Sequence, residues 1–505
     1  MIPPGQLDQI LRPRDGLIAE QPLPGNGHIF EQADGATRSY RRTVTTDPAG
    51  DGQVRVQQVV DFDLGLPYFS WLFALPLRRA VRPVEPSTHQ PWWAPPERLG
   101  RRAAVVLATL CALAVVVGYL GGLLSLTMTY AAKEFNVGKP GQGIALGAVR
   151  INVVLALGLL LLADRRGRRQ LILVTAGGAC LLTALGALVP SLAWLTISQV
   201  FAVALVAALL VLIGVMAAEE MPAGSRAWAL GVLTMTFGLG AGLATMALPL
   251  ADMGVRGWRW LYALGLLFLP LIASAGRHLP ESRRFGRVTS TPDSAPASTA
   301  ARDRHRSRLL LLCTGAFLFA LFSTPSGQFQ NEFLRTERHF SAARISVFSL
   351  VCGTIGGLGV LIGGRLADVR GRRSVAAVGV GLGIVTALGS YLARSWMLWG
   401  WGIADSLLSY GVAPALAVYG PELFPTSLRS RSTGLIGVIY AAGGVIGLIV
   451  VGTLSAAIGT IGPALATLAF GPALLVVLII RAYPETARRE LEDLNPEDAV
   501  LASAT

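Results

Sequence analysis

The sequence predicts an all-α membrane protein: twelve transmembrane helices in two six-helix pseudo-symmetric halves, preceded by a small N-terminal extension. Composition, apolar windows and an internal repeat carry that prediction. Of 505 residues, 52% are hydrophobic and only 14% charged, with a mean hydropathy of +0.55. A soluble domain carries about a quarter charged residues, so lipid is the solvent this chain is built for. The formal net charge is +13. Most of the Arg sits at the ends of long apolar runs, which suits anionic headgroups and not a nucleic-acid-reading face. Cys111, Cys180, Cys313 and Cys352 lie inside apolar runs without a CxxC pair, so they read as small packing residues. The His residues show no metal spacing, and no metal or cofactor is expected. The first hundred residues are polar and mixed, which does not read as a signal peptide.

Spanning about 30 Å of hydrocarbon takes about 20 apolar residues in a helix. Windows of that size place the first six helices at Ala103–Thr129, Gly141–Ala163, Gln170–Val189, Leu192–Ala217, Ala227–Leu250 and Trp258–Ala275. The second six fall at Leu309–Gln330, Ala342–Ala367, Ser374–Ala393, Trp396–Gly420, Ser432–Leu454 and Gly462–Ile480. Arg101 and Arg102, Arg165 to Arg169, Arg283 to Arg308, and Arg370 to Arg373 fall on one side. The opposite connections are short and less basic. By the positive-inside rule both termini are cytoplasmic, in an inner-membrane, multi-pass protein.

The repeat supports two parallel halves. Ala163-Asp164-Arg165-Arg166-Gly167-Arg168-Arg169 returns as Ala367-Asp368-Val369-Arg370-Gly371-Arg372-Arg373. Glu219, Pro222, Arg226 and Gly231 return as Glu422, Pro425, Arg429 and Gly434. Pro280-Glu281-Ser282 returns as Pro484-Glu485-Thr486. All three recur at nearly one offset, each at a helix end on the basic side.

The expected divisions are 1–100 (extension), 101–287 (first half), 288–308 (linker), 309–482 (second half) and 483–505 (tail). The linker is rich in Ser, Thr, Pro and Arg without apolar periodicity. In the extension, Thr37–Thr45 and Gln53–Asp63 flank Asp47-Pro48-Ala49-Gly50-Asp51-Gly52 and read as a β-hairpin. Leu66–Val81 reads as an interfacial helix, with Trp92 and Trp93 marking headgroup level. Two strands and one helix are too little for a core of their own, so docking on the bundle or the membrane is expected.

Physical logic attaches to the loop runs. Gly364 allows close helix approach, Gly371 makes a tight turn, and Asp368 serves as a latch to a neighbouring helix N-terminus or an Arg. The run Gly364 to Arg373 resembles the loop signature of the major facilitator superfamily. The first-half copy resembles it with Leu160 where the signature's first Gly stands. Pro421-Glu422-Leu423-Phe424-Pro425-Thr426-Ser427-Leu428-Arg429 is similar to the loop after helix 10 in sugar porters and organic-acid:proton symporters. Leu279-Pro280-Glu281-Ser282 and Pro484-Glu485-Thr486 with Leu491-Glu492-Asp493 resemble further elements of that branch. The resemblance covers Ala103 to about Asn495. It implies that Asp164, Gly167, Arg168, Glu219, Arg226, Gly364, Asp368, Gly371, Arg372, Glu422 and Arg429 gate and orient the protein without touching substrate. Symporters of the branch often carry an acid after a Gly-Tyr pair in helix 1 and a Gly-Arg in helix 4. Here those places read Gly118-Tyr119-Leu120 and Ser198-Gln199, so the usual proton carriers are missing.

Polar groups inside the windows are the substrate and coupling candidates. A charge in mid-membrane is costly unless it faces a cavity or a partner, which singles out Arg150, with Asn152, and Asp405. An Arg150–Asp405 pair across a cavity is one arrangement; other partners for either residue are another. Gln328, Gln330, Asn331 and Glu332 crowd one end of the seventh window, as binding groups or as an ordinary polar helix end. Tyr119, Gln199 and Tyr410 complete the set, with packing as their alternative role. The glycines of Gly238-Leu239-Gly240-Ala241-Gly242 read as a close helix contact.

The expected function is secondary active transport of a small polar metabolite, a sugar or organic acid, by alternating access, with proton coupling as an option. The expected partners are that solute, membrane lipids and a protein recruited by residues 1–100, around a monomer. Drug or lipid export and a non-transporting scaffold are the alternatives, since one fold serves many functions. No covalent chemistry is expected.

Overall fold

A computed structural model describes residues 4–24, 26–48, 54–83, 94–95, 97–166, 168–222, 225–281, 299–424 and 426–486. The chain begins with α1 (Pro4–Ile10), four strands and α2 (Ser70–Val81), and continues into a bundle. Its first half is α3 (Arg101–Glu134), α4 (Lys139–Val149 resuming at Asn152–Arg166), α5 (Arg168–Leu185), α6 (Leu192–Glu220), α7 (Arg226–Ala247, tightening over Leu248–Asp252) and α8 (Arg259–Ala263 through Leu269–His278). The second half is α9 (Thr299–Gln328, then Gln330–Glu332 and Phe333–Glu337), α10 (Ala342–Arg370), α11 (Arg372–Leu392), α12 (Trp396–Ala417), α13 (Thr426–Ile458) and α14 (Ile461–Ala466 through Phe470–Ala482). All twelve windows are therefore helical. In hydrocarbon, backbone groups must be satisfied within the segment, so long apolar runs become helices.

Among the described residues, ten of the twelve are long and apolar enough to cross a membrane by themselves. The other two are α5, which starts on Arg168-Arg169-Gln170, and α12, which holds Trp396, Trp399, Trp401 and Asp405. Ser191 and Ser341 cap α6 and α10, accepting from Trp194 N at 3.4 Å and Arg344 N at 3.3 Å.

Close crossings set the packing of each half, and the two halves use the same pair of helices. Where α3 meets α7, a Cβ on Gly118 would stand 2.0 Å from the Phe237 carbonyl, and one on Gly240 2.0 Å from that of Val115. Where α9 meets α13, Gly443 and Gly447 lie against the carbonyls of Phe317 and Leu321. In lipid such close approach replaces the hydrophobic drive as the source of helix association. Gly364, expected to permit close approach, has only ordinary contact with Pro414. The tight position is its neighbour Gly363, where a Cβ would stand 1.9 Å from the Gly411 carbonyl on α12.

Among the described residues, the apolar core that joins the halves lies at one end. Call the end holding the repeated loop motifs the motif end. One apolar core runs through the first half and continues at the opposite end into Phe329, Phe333, Phe340, Phe348, Leu448 and Leu465 of the second. A separate core, including Leu312, Val412, Phe424 and Tyr483, fills the second half at the motif end.

The extension differs from the expected hairpin. Besides β3 (Ser39–Pro48) and β4 (Val54–Asp63), paired from Ser39 with Asp63 to Pro48 with Val54, it holds β1 (Ile18–Leu23) and β2 (Asn26–Gly35). They form one antiparallel sheet in the order β1-β2-β3-β4. β1 escapes an apolar-alternation reading because its inward position Glu20 is charged, and β2 because it holds few large apolar residues. Arg42 and Glu20 have fully buried side chains and pair at 2.6 Å. Arg42 lies over the Phe30 ring and donates to the carbonyls of Ile10 and Arg12, while Tyr40 donates to Glu20 at 2.7 Å. The Tyr40 hydroxyl is held well above its ordinary pKa, by burial first and by Glu20 second. The extension thus has a small core of its own, and it also docks on the bundle. Ser225 exchanges hydrogen bonds with the Glu97 backbone at 2.9 and 2.8 Å, and Tyr68 donates to Ser274 on α8 at 3.0 Å. The window read as an interfacial helix is α2; Trp92 and Trp93 lie outside the described residues.

Candidate functional site

Between the halves, at the end opposite the motifs, lies a belt of polar side chains. Its shape starts from Pro325 inside α9, which removes a backbone donor and weakens the helix there. Phe329 leaves helical geometry, and the chain restarts as Gln330–Glu332 followed by a wide turn over Phe333–Glu337. This break turns a run of polar residues toward the first half. Gln328 Oε1 accepts from Ser125 Oγ of α3 at 2.5 Å, and Asn331 Nδ2 donates to the carbonyls of Ser125 and Leu126, each at 3.4 Å. Gln330 is half-buried beside them. Glu332 is 6% exposed, its Oε2 lacks a hydrogen-bond partner, and Thr129 and Gln142 face it from α3 and α4. Lys139 pairs not with Glu332 but with Glu337, at 3.5 Å, and Glu337 also accepts from Ile461 N at 2.7 Å.

Further out, Asp252 at the end of α7 accepts from Arg335 at 2.5 and 3.3 Å and from the backbone N–H of Ala342 at 2.7 Å. Ser346 donates to the Thr245 carbonyl at 2.7 Å. Among the described residues, these hydrogen bonds between halves all lie in the part of the bundle away from the motif end.

Arg150 sits where α4 and α13 part. A Cβ on Gly143 would stand 2.5 Å from the Leu448 carbonyl, and Gly147 is packed by Val445 and Ile449. One turn on, α4 breaks at Arg150–Ile151. Asn152 restarts it and donates to the Val149 carbonyl at 2.6 Å, bridging the break. Arg150 makes no hydrogen bond or ion pair among the described residues, and its electrostatic neighbour is Tyr440 on α13. Asp405 is not its partner. That carboxylate accepts from Ser409 at 2.9 Å, with Thr386 of α11 also facing it.

The remaining candidates divide. Tyr119 is spent on packing: its hydroxyl donates to the Leu261 carbonyl at 2.8 Å and its ring lies against Phe268, inside the first half. Gln199 is fully buried against Gly186, with both amide atoms lacking a partner. Tyr410 lies across Gly356 of α10 and is largely exposed.

At the motif end the repeats assemble into one cluster per half. Arg168 pairs with Glu219, and Arg372 with Glu422. Glu281 then accepts from the backbone N–H groups of Arg168 and Arg169 at 2.9 and 3.2 Å. Glu485 does the same for Arg372 and Arg373 at 2.9 and 3.1 Å. The acid after the sixth helix of each half therefore caps the third. A carboxylate there meets orphan donors and the positive end of the helix. The signal was present in the recurrence of Glu281 and Glu485 with the Arg run. Gly371 makes the expected turn at φ +100°. Gly167 and the side chains of Asp164, Arg226, Asp368 and Arg429 lie outside the described residues.

Two six-helix halves, closed on a polar belt at one end and clamped separately at the other, define a multi-pass membrane carrier. The family model described as Major Facilitator Superfamily matches residues 110–393 and 311–503. The chain belongs to that superfamily of secondary transporters. It is 24% identical over 432 residues to the glucose transporter GlcP of Staphylococcus epidermidis, covering 75% of this chain and 94% of that protein. It is similar in fold to the inward-open xylose transporter XylE of E. coli, at TM-score 0.62 and 15% identity, over 78% of this chain and 99% of that one. The nucleoside transporter NupG matches at TM-score 0.61 and 12% identity, over 74% of this chain and 98% of that one.

Proposed function

We propose that the protein carries a small polyhydroxylated solute, of the sugar class, across the cytoplasmic membrane by rocking its two halves about the polar belt. The motif end is taken as cytoplasmic, with both termini on that side and the chain divided at 100, 287, 308 and 482. The arrangement then corresponds to a carrier open to the cytoplasm. The observation that carries the reading is the broken stretch of α9, which presents Gln328 and Asn331 to the opposite half. Amides donate and accept, which matches a ring of hydroxyls. GlcP, XylE and NupG, named for glucose, xylose and nucleosides, support the same chemistry. Proton coupling is read onto Glu332 and Asp405, two acids within the bundle that make no ion pair among the described residues.

A second reading rests on Arg150, at a helix break and without a partner among the described residues, which favours an anionic metabolite. Thermal stability of the purified protein against pentoses, hexoses, nucleosides, organic acids and hydrophobic drugs separates the two. A ligand at about a hundred times its Kd adds about 2.7 kcal/mol. The sugar reading expects a saturable shift with a sugar, lost in Gln328→Ala and kept in Arg150→Gln. A shift with an organic acid alone, lost in Arg150→Gln, moves the assignment to the anion, and a shift with drugs alone overturns both.

A further inference from the structure

Helix α2 has two unlike sides. Leu77, Phe73, Ala74 and Val81 pack on the sheet with Tyr40 and Leu64. The other side leaves Trp71 75% exposed, together with Leu72 and Leu75, and continues into the exposed Arg78, Arg79 and Arg82. Trp71, Leu75, Arg78 and Arg82 follow a helical stripe, apolar in its first half and basic in its second. Large apolar side chains left in water need a reason, and nothing in the sheet's own packing supplies one.

The position of the helix supplies it. Leu66 and Phe69, just before α2, pack into the bundle core, and Tyr68 bonds Ser274, one turn from the end of α8 at His278. That helix is an outer one, with Leu266 and Leu267 exposed a few turns earlier. The stripe therefore starts where the lipid-facing side of the bundle ends, at headgroup depth.

Beside it, between the start of α3 and the end of α8, a crevice of about 470 Å³ is lined by Arg101, Arg102, Val105, Val106, His278 and Pro280. The Tyr68 ring meets His278 edge-on, so the approach to α2 forms one border of the crevice. Arg102 is committed to Glu220 at 3.1 Å. Arg101 makes no hydrogen bond or ion pair among the described residues. An apolar floor beneath basic groups is the shape of a lipid with an acidic head.

We propose that α2 and this crevice bind anionic phospholipid of the adjoining leaflet, the phosphate at Arg101 and His278, an acyl chain over Val105, Val106 and Pro280, and the α2 stripe inserted alongside. An interfacial helix with a basic polar end binds in proportion to its apolar area and to leaflet charge. Lipid so bound seals the extension to the bundle.

Full-length protein in detergent is titrated with phosphatidylglycerol, phosphatidylcholine and inorganic phosphate while its thermal midpoint is followed. A saturable rise with phosphatidylglycerol alone is expected. Its half-saturation should move about fivefold for each basic residue removed in Arg101→Gln and Arg78→Gln, and stay near wild type in Arg101→Lys. An equal rise with phosphatidylcholine, a rise with inorganic phosphate, or no change in Arg101→Gln overturns the proposal. As a check that needs no variant, amide exchange of residues 70–81 in nanodiscs should slow with phosphatidylglycerol relative to phosphatidylcholine. Equal exchange also overturns it. Neither readout depends on which solute is carried.

Discussion

Asp252 of the first half and Arg335 of the second are joined by two hydrogen bonds, and the same carboxylate accepts from the first backbone N–H of α10. One side chain thus pairs with a guanidinium and caps a helix across the seam between halves. Both partners are about a third exposed, so the ion pair contributes well under a buried pair and the helix contact adds about 1 kcal/mol. Asp252→Ala, which removes the ion pair and the helix contact together, should therefore raise the fraction of molecules open at that end about fivefold. Distance distributions between spin labels at the ends of α7 and α10 read this directly; unchanged distributions contradict the latch.

Glycines in two places should behave differently. Gly118→Ala forces a Cβ into the Phe237 carbonyl within one half, which costs about 1–3 kcal/mol in every conformation. Gly143→Ala meets the Leu448 carbonyl across the seam, a clash present only while that end is closed. The first variant should lower the thermal midpoint without changing the spin-label distances. The second should lengthen them.

Glu485→Gln should weaken the cap on α11 by about 1 kcal/mol, since a charge-assisted bond at a helix N-terminus becomes a neutral one. Faster amide exchange in the first turn of α11 is the expected result. Glu281→Gln should do the same at α5, and an effect in only one half would break the equivalence of the two clusters.

In the extension, Arg42→Met leaves the buried Glu20 carboxylate without its counter-charge, with the Tyr40 hydroxyl and the Arg14 backbone N–H still donating to it, which costs about 3 kcal/mol. Residues 18–63 should lose exchange protection while α3–α14 keep theirs. Adding Glu20→Leu should restore much of the protection, because a matched apolar pair removes the stranded charge.

The twelve helices were legible because lipid imposes a length and a composition that a window reads directly. The loop clusters were half legible: the repeat located Arg168, Glu219, Arg372 and Glu422, but which acid caps which helix depends on three-dimensional neighbours. Strand β1 was hidden by Glu20, a charge buried where alternation expects an apolar residue, and β2 offers only Ile29 and Phe30 as large apolar residues in ten. At the site, Gln328, Asn331 and Glu332 were found as polar groups in an apolar window, yet their turn toward the other half follows from Pro325 and the break at Phe329. Tyr119 and Gln199 were chosen by residue type alone, and they pack within the first half, because sequence position does not say which way a helix faces.

The claim at the centre of this account is movement of a polar solute through the seam between the halves. Counterflow of labelled xylose and glucose into proteoliposomes, with and without a disulfide locking Ser125→Cys to Gln328→Cys, tests it most directly. The account predicts saturable entry that stops when the lock is oxidised and returns on reduction. Entry unaffected by the lock, or no saturable entry of any polar solute, contradicts it.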